Sequence, residues 1–228
     1  HDVKIVFTSA GSPKKFTARL QQAGIKVAHV VASSLFAKKC EEAGVDAVVA
    51  EGFEAGGHNG REETTTMTLI PAVRKATSLP LIAAGGIGSG QAMMAAMALG
   101  AEGVQVGTLF ALAQESSASE AFKQKCIGIG EGDTMLCLKK ISPTRLVKND
   151  MYERIHEAEN KGADAAALKE IIGNAAAKRG IFEGDTDNGL IEIGQVAAMV
   201  DRVMTAEEII CSMINEYDKT RIRLCEKK

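Results

Sequence analysis

Leu81-Ile-Ala-Ala-Gly-Gly-Ile-Gly-Ser-Gly90 holds the plan of the fold in ten residues. Four apolar residues give way to a cluster of glycines, and a helix-compatible run, Gln91 to Leu99, follows and is stopped by Gly100. An apolar run without polar alternation is a strand covered on both faces. A Gly-rich turn leading into a helix is the joint of a parallel βα unit. The same order recurs on either side. Val3–Phe7 is broken by Ser9–Pro13 and followed by a helix over Phe16–Ala23. Val27–Val31 is followed by Ser33 as N-cap and a helix to Ala43, stopped by Gly44. Asp46–Ala50 runs into a long Gly-rich loop, Glu51 to Thr65, and a helix over Met67–Thr77. Gly103–Val106 ends in Gly107-Thr108. Five successive βα units predict either a doubly wound sheet or part of a (β/α)8 barrel.

Beyond Thr108 the strand period fades, apart from a short run at Met135–Leu138. Residues 151–180 read as helical with a charged outer face, Gly184–Gly189 as a turn cluster, and Gln195–Val203 and Ala206–Tyr217 as two more helices, the last capped by Thr205. This divides the chain into 1–112, the parallel βα part, and 113–228, a mostly helical extension of the same domain.

Composition narrows the function. The 228 residues are 46% hydrophobic and 25% charged, with a net charge of −2. No basic field is present to draw in nucleic acid or anionic lipid. No apolar run approaches the roughly 20 residues of a membrane span, and the opening residues do not read as a signal peptide. Seven Phe, two Tyr and no Trp argue against base-stacking or sugar-stacking surfaces. The five cysteines show no CxxC spacing and no neighbouring His, which argues against zinc. They read as buried or incidental thiols of a reducing compartment, and the expected location is cytoplasmic.

Three Gly-rich segments follow strands: Glu51-Gly-Phe-Glu-Ala-Gly-Gly-His-Asn-Gly60, Ala84-Gly-Gly-Ile-Gly88 and Gln105-Val-Gly-Thr108. Ligands of parallel α/β folds sit at the C-terminal strand ends. Unhindered backbone N–H groups there make an anion site. A phosphate held between Gly85-Gly86 and Gly107-Thr108 is one reading; glycines that only make tight turns is the other. His58 lies among glycines, where an imidazole can reach a pocket, and its ordinary titration range suits proton transfer. His29, inside an apolar strand, reads as a satisfied core residue. His156 reads as a solvated helix residue and His1 as a terminal one. Glu51 and Glu54 could pair as acid and base, although their spacing does not fix a separation. A Ser-His-Asp arrangement and a GxGxxG fingerprint are both absent.

Ala50-Glu-Gly-Phe-Glu-Ala-Gly-Gly-His58, Leu81-Ile-Ala-Ala-Gly-Gly-Ile87 and Gly103-Val-Gln-Val-Gly-Thr108, in that order, resemble the flavin-dependent nitronate monooxygenase / enoyl-ACP reductase II family. Thr64–Leu69 and the segment from Gly184 to Gln195 look like its reductase branch. The resemblance implies an FMN-binding (β/α)8 TIM barrel in which Val3–Phe7 is the fourth strand. Members of the family begin with roughly 80 to 90 more residues, about three further strands. Without them, this stretch is expected to expose apolar strand edges. The resemblance further implies that Gly85, Gly86, Gly107 and Thr108 hold the FMN phosphate, with Gln105 in the same motif, and that Glu51, Gly56 and Gly57 lie near the flavin. Glu at position 51 favours the reductase, since many nitronate monooxygenases carry Gln there. His58 becomes the active-site histidine, a proton donor in a reductase or a base in a nitronate oxidase. The implied activity is NAD(P)H-dependent reduction of an enoyl-acyl carrier protein or enoyl-CoA, with a homodimer as the expected assembly. Oxidation of alkyl nitronates is the first alternative, and a non-catalytic phosphate-ligand module is the second.

Overall fold

The computed structural model describes Asp2–Glu226; His1 lies outside the described residues. Five parallel strands form the main sheet: β1 (Ile5–Thr8), β2 (Lys26–Val31), β3 (Ala47–Glu51), β5 (Leu81–Ala84) and β6 (Gly103–Gln105). A two-residue strand, β4 (Gly57–His58), lies between β3 and β5 in the chain and belongs to a second sheet. In the main sheet the spatial order is β1-β2-β3-β5-β6, always onward and never reversing. A doubly wound sheet reverses its order at a switch point, so that alternative falls. The sheet curls as part of a barrel wall.

The two faces of the strands differ. Val27, Val31, Val48, Ala50, Leu81 and Ala83 belong to the large outer core beneath the helices. Ala28, Val49 and Ala84 form a smaller inner cluster with Val30, Ala47 and Ile82. Both faces are therefore apolar, and no alternation survives in the sequence. At one edge, β1 leaves Ile5 and Phe7 about half exposed (58 and 52%), and Val3 just ahead of it is equally open (49%).

Helices α1 (Thr17–Gln22), α2 (Ser34–Glu42), α3 (Thr66–Arg74) and α4 (Gly90–Ala98) follow β1, β2, β3 and β5. Ser33 caps α2 by accepting from Phe36 N, and Ser89 caps α4 by accepting from Ala92 N. Gly24, Gly44 and Gly100 follow their helices at φ +75°, +75° and +109°, a region that glycine enters at little cost. The first helix is one residue shorter at each end than expected, Phe16 and Ala23 being its caps, and a 3-10 turn over Pro13–Lys15 precedes it.

The second half departs further from the sequence reading. After α5 (Thr108–Ala111) and α6 (Glu120–Ile127) come two strands, β7 (Thr134–Cys137) and β8 (Thr144–Val147). With β4 they build an antiparallel sheet in the order β4-β8-β7. Only β7 was expected. Residues 151–180 are three helices: α7 (Asp150–Asn160), α8 (Ala165–Ile172) and α9 (Ala176–Ile181). Gly162 and Gly173 at positive φ separate them, and Asp164 caps α8. The expected helix over Gln195–Val203 is a 3-10 turn, Gln195–Met199, because its N–H groups bond three residues back, Ala197 to Gly194 and Val200 to Ala197. Helix α10 runs over Ala206–Glu226, well past Tyr217. Thr205 begins it with reciprocal bonds: its hydroxyl accepts from Glu208 N, and Glu208 Oε2 accepts from Thr205 N. Among the described residues no helix is long and apolar enough to cross a membrane.

Candidate active site

Register puts the C-terminal strand ends in one row. Glu51 is the partner of Ala84, and Ala84 is the partner of Gln105. Just beyond this row lies a cleft of about 90 Å3 lined by Glu51, Gly56, Gly85, Gly86, Gln105, Gly107 and Thr108, with Ala55, Ile87 and Val196. The three Gly-rich segments therefore meet at one place.

Their glycines have separate reasons. Gly85 and Gly86 stand at φ +83° and +70°. A Cβ on Gly85 would fall 2.5 Å from Gly52 O, so one loop crosses the other backbone to backbone. A Cβ on Gly56 would fall 2.3 Å from the carbonyl carbon of Ile193. Gly107 differs. Its φ is −95°, an ordinary value, and a Cβ there would meet nothing within 4 Å. Neither packing nor strain demands glycine at 107; its absent side chain leaves room in the cleft. Beside it, Thr108 Oγ1 accepts from Gly194 N at 3.2 Å, which leaves its hydroxyl proton free to donate.

Glu51 reaches two spaces. It also lines a second cavity of about 270 Å3 together with His58, His29, Asn59 and Ser142. Burial pushes its carboxyl up to about 7. Glu54 does not pair with it. Its carboxylate oxygens accept from Thr66 N at 3.1 and 3.0 Å, with the Thr66 hydroxyl 3.0 Å from one of them. Glu54 thereby serves the start of α3, where Thr65 makes no side-chain cap. The acid–base pairing of Glu51 and Glu54 is overturned by this bond set.

His58 is exposed at the mouth of the second cavity. Its backbone is held: His58 pairs with Thr144 of β8, and Asn59 N donates to Pro143 O. Asn59 Nδ2 donates to Ala55 O and Gly57 O, closing the turn from inside. His29 is 5% exposed, and its Nδ1 lies 2.7 Å from Thr8 Oγ1, as a core histidine should be. Burial lowers its pKa, against a backbone bond with Gly11 that raises it. His156 is exposed on α7, stacked on Tyr152.

Gly57 lines neither cavity. It is buried at φ +70°, and a Cβ there would lie 2.8 Å from Glu192 Oε2. Glu192 was not singled out from the sequence. Its pKa is raised by burial and drawn back by the charge of His58. Its one sequence signal is a carboxylate in the otherwise apolar run Leu190–Ile193. Cys40, Cys126 and Cys137 are buried, and burial pushes their thiols up to about 11, 12 and 12, far from nucleophilic; Cys211 and Cys225 are exposed. Among the described residues no group of three His, Cys, Asp or Glu could hold a metal ion.

Comparison with known proteins matches the nitronate monooxygenase family model to residues 1–216. The chain belongs to the nitronate monooxygenase family. Members of that family are flavin-dependent oxidoreductases. It is 36% identical to FabK from Thermotoga maritima, superposing with a TM-score of 0.91 over 97% of this chain and 70% of that one. A nitroalkane oxidase from Streptomyces ansochromogenes is 29% identical, with a TM-score of 0.80 over 98% of this chain and 66% of that one. A probable nitronate monooxygenase from Staphylococcus aureus is 36% identical over 93% of this chain; the chain spans 62% of that relative's length.

Proposed function

We propose that this chain carries the site of an FMN-dependent enoyl-ACP reductase II, which uses NAD(P)H to saturate the double bond of an enoyl thioester on acyl carrier protein or coenzyme A. The observation that carries the reading is Glu51, a half-buried carboxyl shared by a small Gly-lined cleft and by the cavity of His58. The small cleft has room for a phosphoryl group and none for a flavin ring, while the larger cavity offers more space next to it. The likeness to FabK supports the same reading.

FMN fits the residues present. Backbone N–H groups at Gly85-Gly86 and Gly107-Thr108, with the Thr108 hydroxyl, would hold its phosphate. Gln105 and Gly56 line the same cleft and would lie near it, while Gly57, turned away from both cavities, would not touch the group. When bound, the flavin supplies hydride transfer between nicotinamide and substrate. The chain supplies the rest. Glu51, whose carboxyl burial raises to about 7, is protonated in about half of the molecules near pH 7 and in that form can donate a hydrogen bond that a carboxylate could not. His58, at the open mouth, gives a proton to the substrate carbon next to the thioester carbonyl as that carbon gains electron density.

Oxidation of alkyl nitronates is the second reading, favoured by the family model itself and by the staphylococcal relative. There His58 would act as a base toward a neutral nitroalkane, since a nitronate has already lost that proton. The test is spectroscopic. The purified protein should show a flavin absorbance band that bleaches rapidly with NADPH or NADH and returns when an enoyl thioester is added. A flavin band indifferent to both nucleotides, but bleached by an alkyl nitronate, would select the second reading.

A further inference from the structure

The net charge of −2 hides an uneven spread of cations. Residues 3–40 hold Lys4, Lys14, Lys15, Arg19, Lys26, Lys38 and Lys39 and no Asp or Glu, in a chain with 29 acidic residues. The fold sorts these seven by place. Lys4, just ahead of β1, pairs with Asp2, and Lys26, which opens β2, pairs with Asp46. Both stand where the strands begin. The remaining cations come after the strands, on the 3-10 turn Pro13–Lys15 and on helices α1 and α2. None of those takes part in an ion pair among the described residues.

Their place is the mouth of the cavity shared by Glu51 and His58. Pro13 and Phe36 line that cavity, and the 3-10 turn lies against α2. Lys14 and Lys15 directly follow Pro13. Helix side chains lean back toward the N-terminus of their helix, and here they do. Lys39 Nζ sits 5.0 Å from the ring centre of Phe36, and Arg19 Cζ sits 5.7 Å from that of Phe16. Lys15 Nζ lies 5.1 Å from the Phe16 ring as well. A ring face holds a cation in place without cancelling its charge. The apolar side chains stay open: Phe16, Leu35 and Phe36 are 38, 59 and 46% exposed. The nearest carboxylates in the chain, Glu41 and Glu42, close the far end of α2, where Glu41 is bound to Ser78.

We infer that this rim is the docking surface for the carrier that brings the thioester, and that the carrier is an acidic protein rather than coenzyme A. The cations are spread over three elements and divided between two rings, a broad patch rather than a phosphate pocket. Exposed aromatic side chains fringed by positive charge suit an acidic helix: the charges steer the encounter and the rings anchor it. A thioester on the carrier's arm then enters past Pro13 and Phe36 toward His58. The thioester rests on the reductase reading above; the binding of an acidic protein at the rim does not.

The test compares the flavin-loaded full-length protein with its double variant, Lys15→Glu with Lys39→Glu. Both side chains are exposed and neither lines the cavity. Binding is read by fluorescence anisotropy of a dye-labelled acyl carrier protein bearing no acyl group. Turnover is read with crotonyl-loaded carrier and with crotonyl-CoA. The variant should bind the carrier about tenfold more weakly. Added salt should weaken wild-type binding and affect the variant less. KM for the loaded carrier should rise about tenfold with kcat held, and turnover of crotonyl-CoA should be unchanged. Should the double reversal fail to fold, Lys15→Ser with Lys39→Ser is read in the same way. Equal carrier binding by wild type and variant would overturn the proposal. So would an equal loss with crotonyl-CoA, which would make the rim a site for nucleotide phosphates. Capture by phosphatidylglycerol vesicles without binding of the carrier would overturn it too. Salt-sensitive carrier binding that the variant loses, in a protein that turns over neither thioester, would uphold the surface and sink the reductase reading instead.

Discussion

Arg145 places its guanidinium 4.5 Å from the ring centre of Phe53 and donates to the carbonyl of that same residue at 2.8 Å. It is 1% exposed, and burial lowers its pKa. One side chain of β8 thus clamps the start of the Gly-rich turn that leads to His58. Arg145→Met keeps much of the volume and leaves Phe53 O without its partner. It should cost about 1 to 3 kcal/mol of stability, read as a lower midpoint in urea unfolding. A midpoint equal to wild type would mean that the clamp is idle.

Gly107 and Gly85 line the same cleft for different reasons, and substitution should separate them. The Cβ of Gly107→Val would meet nothing within 4 Å, and the backbone there is not strained by a side chain. It should fold with a near-native melting temperature yet purify without flavin. Gly85→Ala combines φ +83° with a contact at 2.5 Å to Gly52 O. Strain of this kind costs on the order of 1 to 3 kcal/mol, so it should melt lower whether or not flavin is present. Stoichiometric flavin in Gly107→Val would remove the phosphate from this cleft.

Glu51 links stability to pH. Its carboxyl is raised from an ordinary value of 4.5 to about 7 by burial. Between those two values the unfolded chain has lost the proton and the folded chain has kept it. Folding therefore weakens as pH rises through this window, and the loss is complete above the folded value. Glu51→Gln removes the term. Flavin-stripped Glu51→Gln should match wild type near pH 4 and melt higher than wild type at pH 8. Parallel melting curves at both pH values would contradict this.

His58→Ala leaves the phosphate cleft untouched and should keep its flavin. Enoyl reduction should fall by about 10² or more, the usual worth of a placed proton donor. Oxidation of NADPH with oxygen as acceptor should fall less, since no proton is delivered to carbon. Stopped-flow comparison of the two half-reactions separates these outcomes. Equal losses in both would make His58 a residue that positions nicotinamide or flavin.

The parallel sheet was legible because three of its four helices are followed by a glycine at positive φ and its central strands are mostly apolar on both faces. Gly24, Gly44 and Gly100 punctuate the chain as their backbone demands. The antiparallel sheet was hidden for the opposite reason. All four residues of β8 are buried, Arg145 included, so neither alternation nor an apolar run marks it. β4 is two residues inside a glycine cluster, too short to carry a period. The cleft could be read from its glycines, but the role of Glu54 could not, because its partner Thr66 lies twelve residues on. Glu192 showed only as a carboxylate among apolar neighbours, and its meaning depends on Gly57, far away in the chain.

The strand that pairs with His58 begins at Thr144, and the N–H that Thr108 accepts belongs to Gly194. Seen from the ribosome, the sheet can assemble long before the site does. By about residue 110 all five parallel strands have been made, yet the histidine turn still lacks β8, and the cleft lacks the segment that crosses it. The last pieces of the site emerge when most of the chain has been synthesised. Scaffold and mouth are in this sense written at different times, and changes in the later half can reshape the mouth while the sheet beneath it stays as it is.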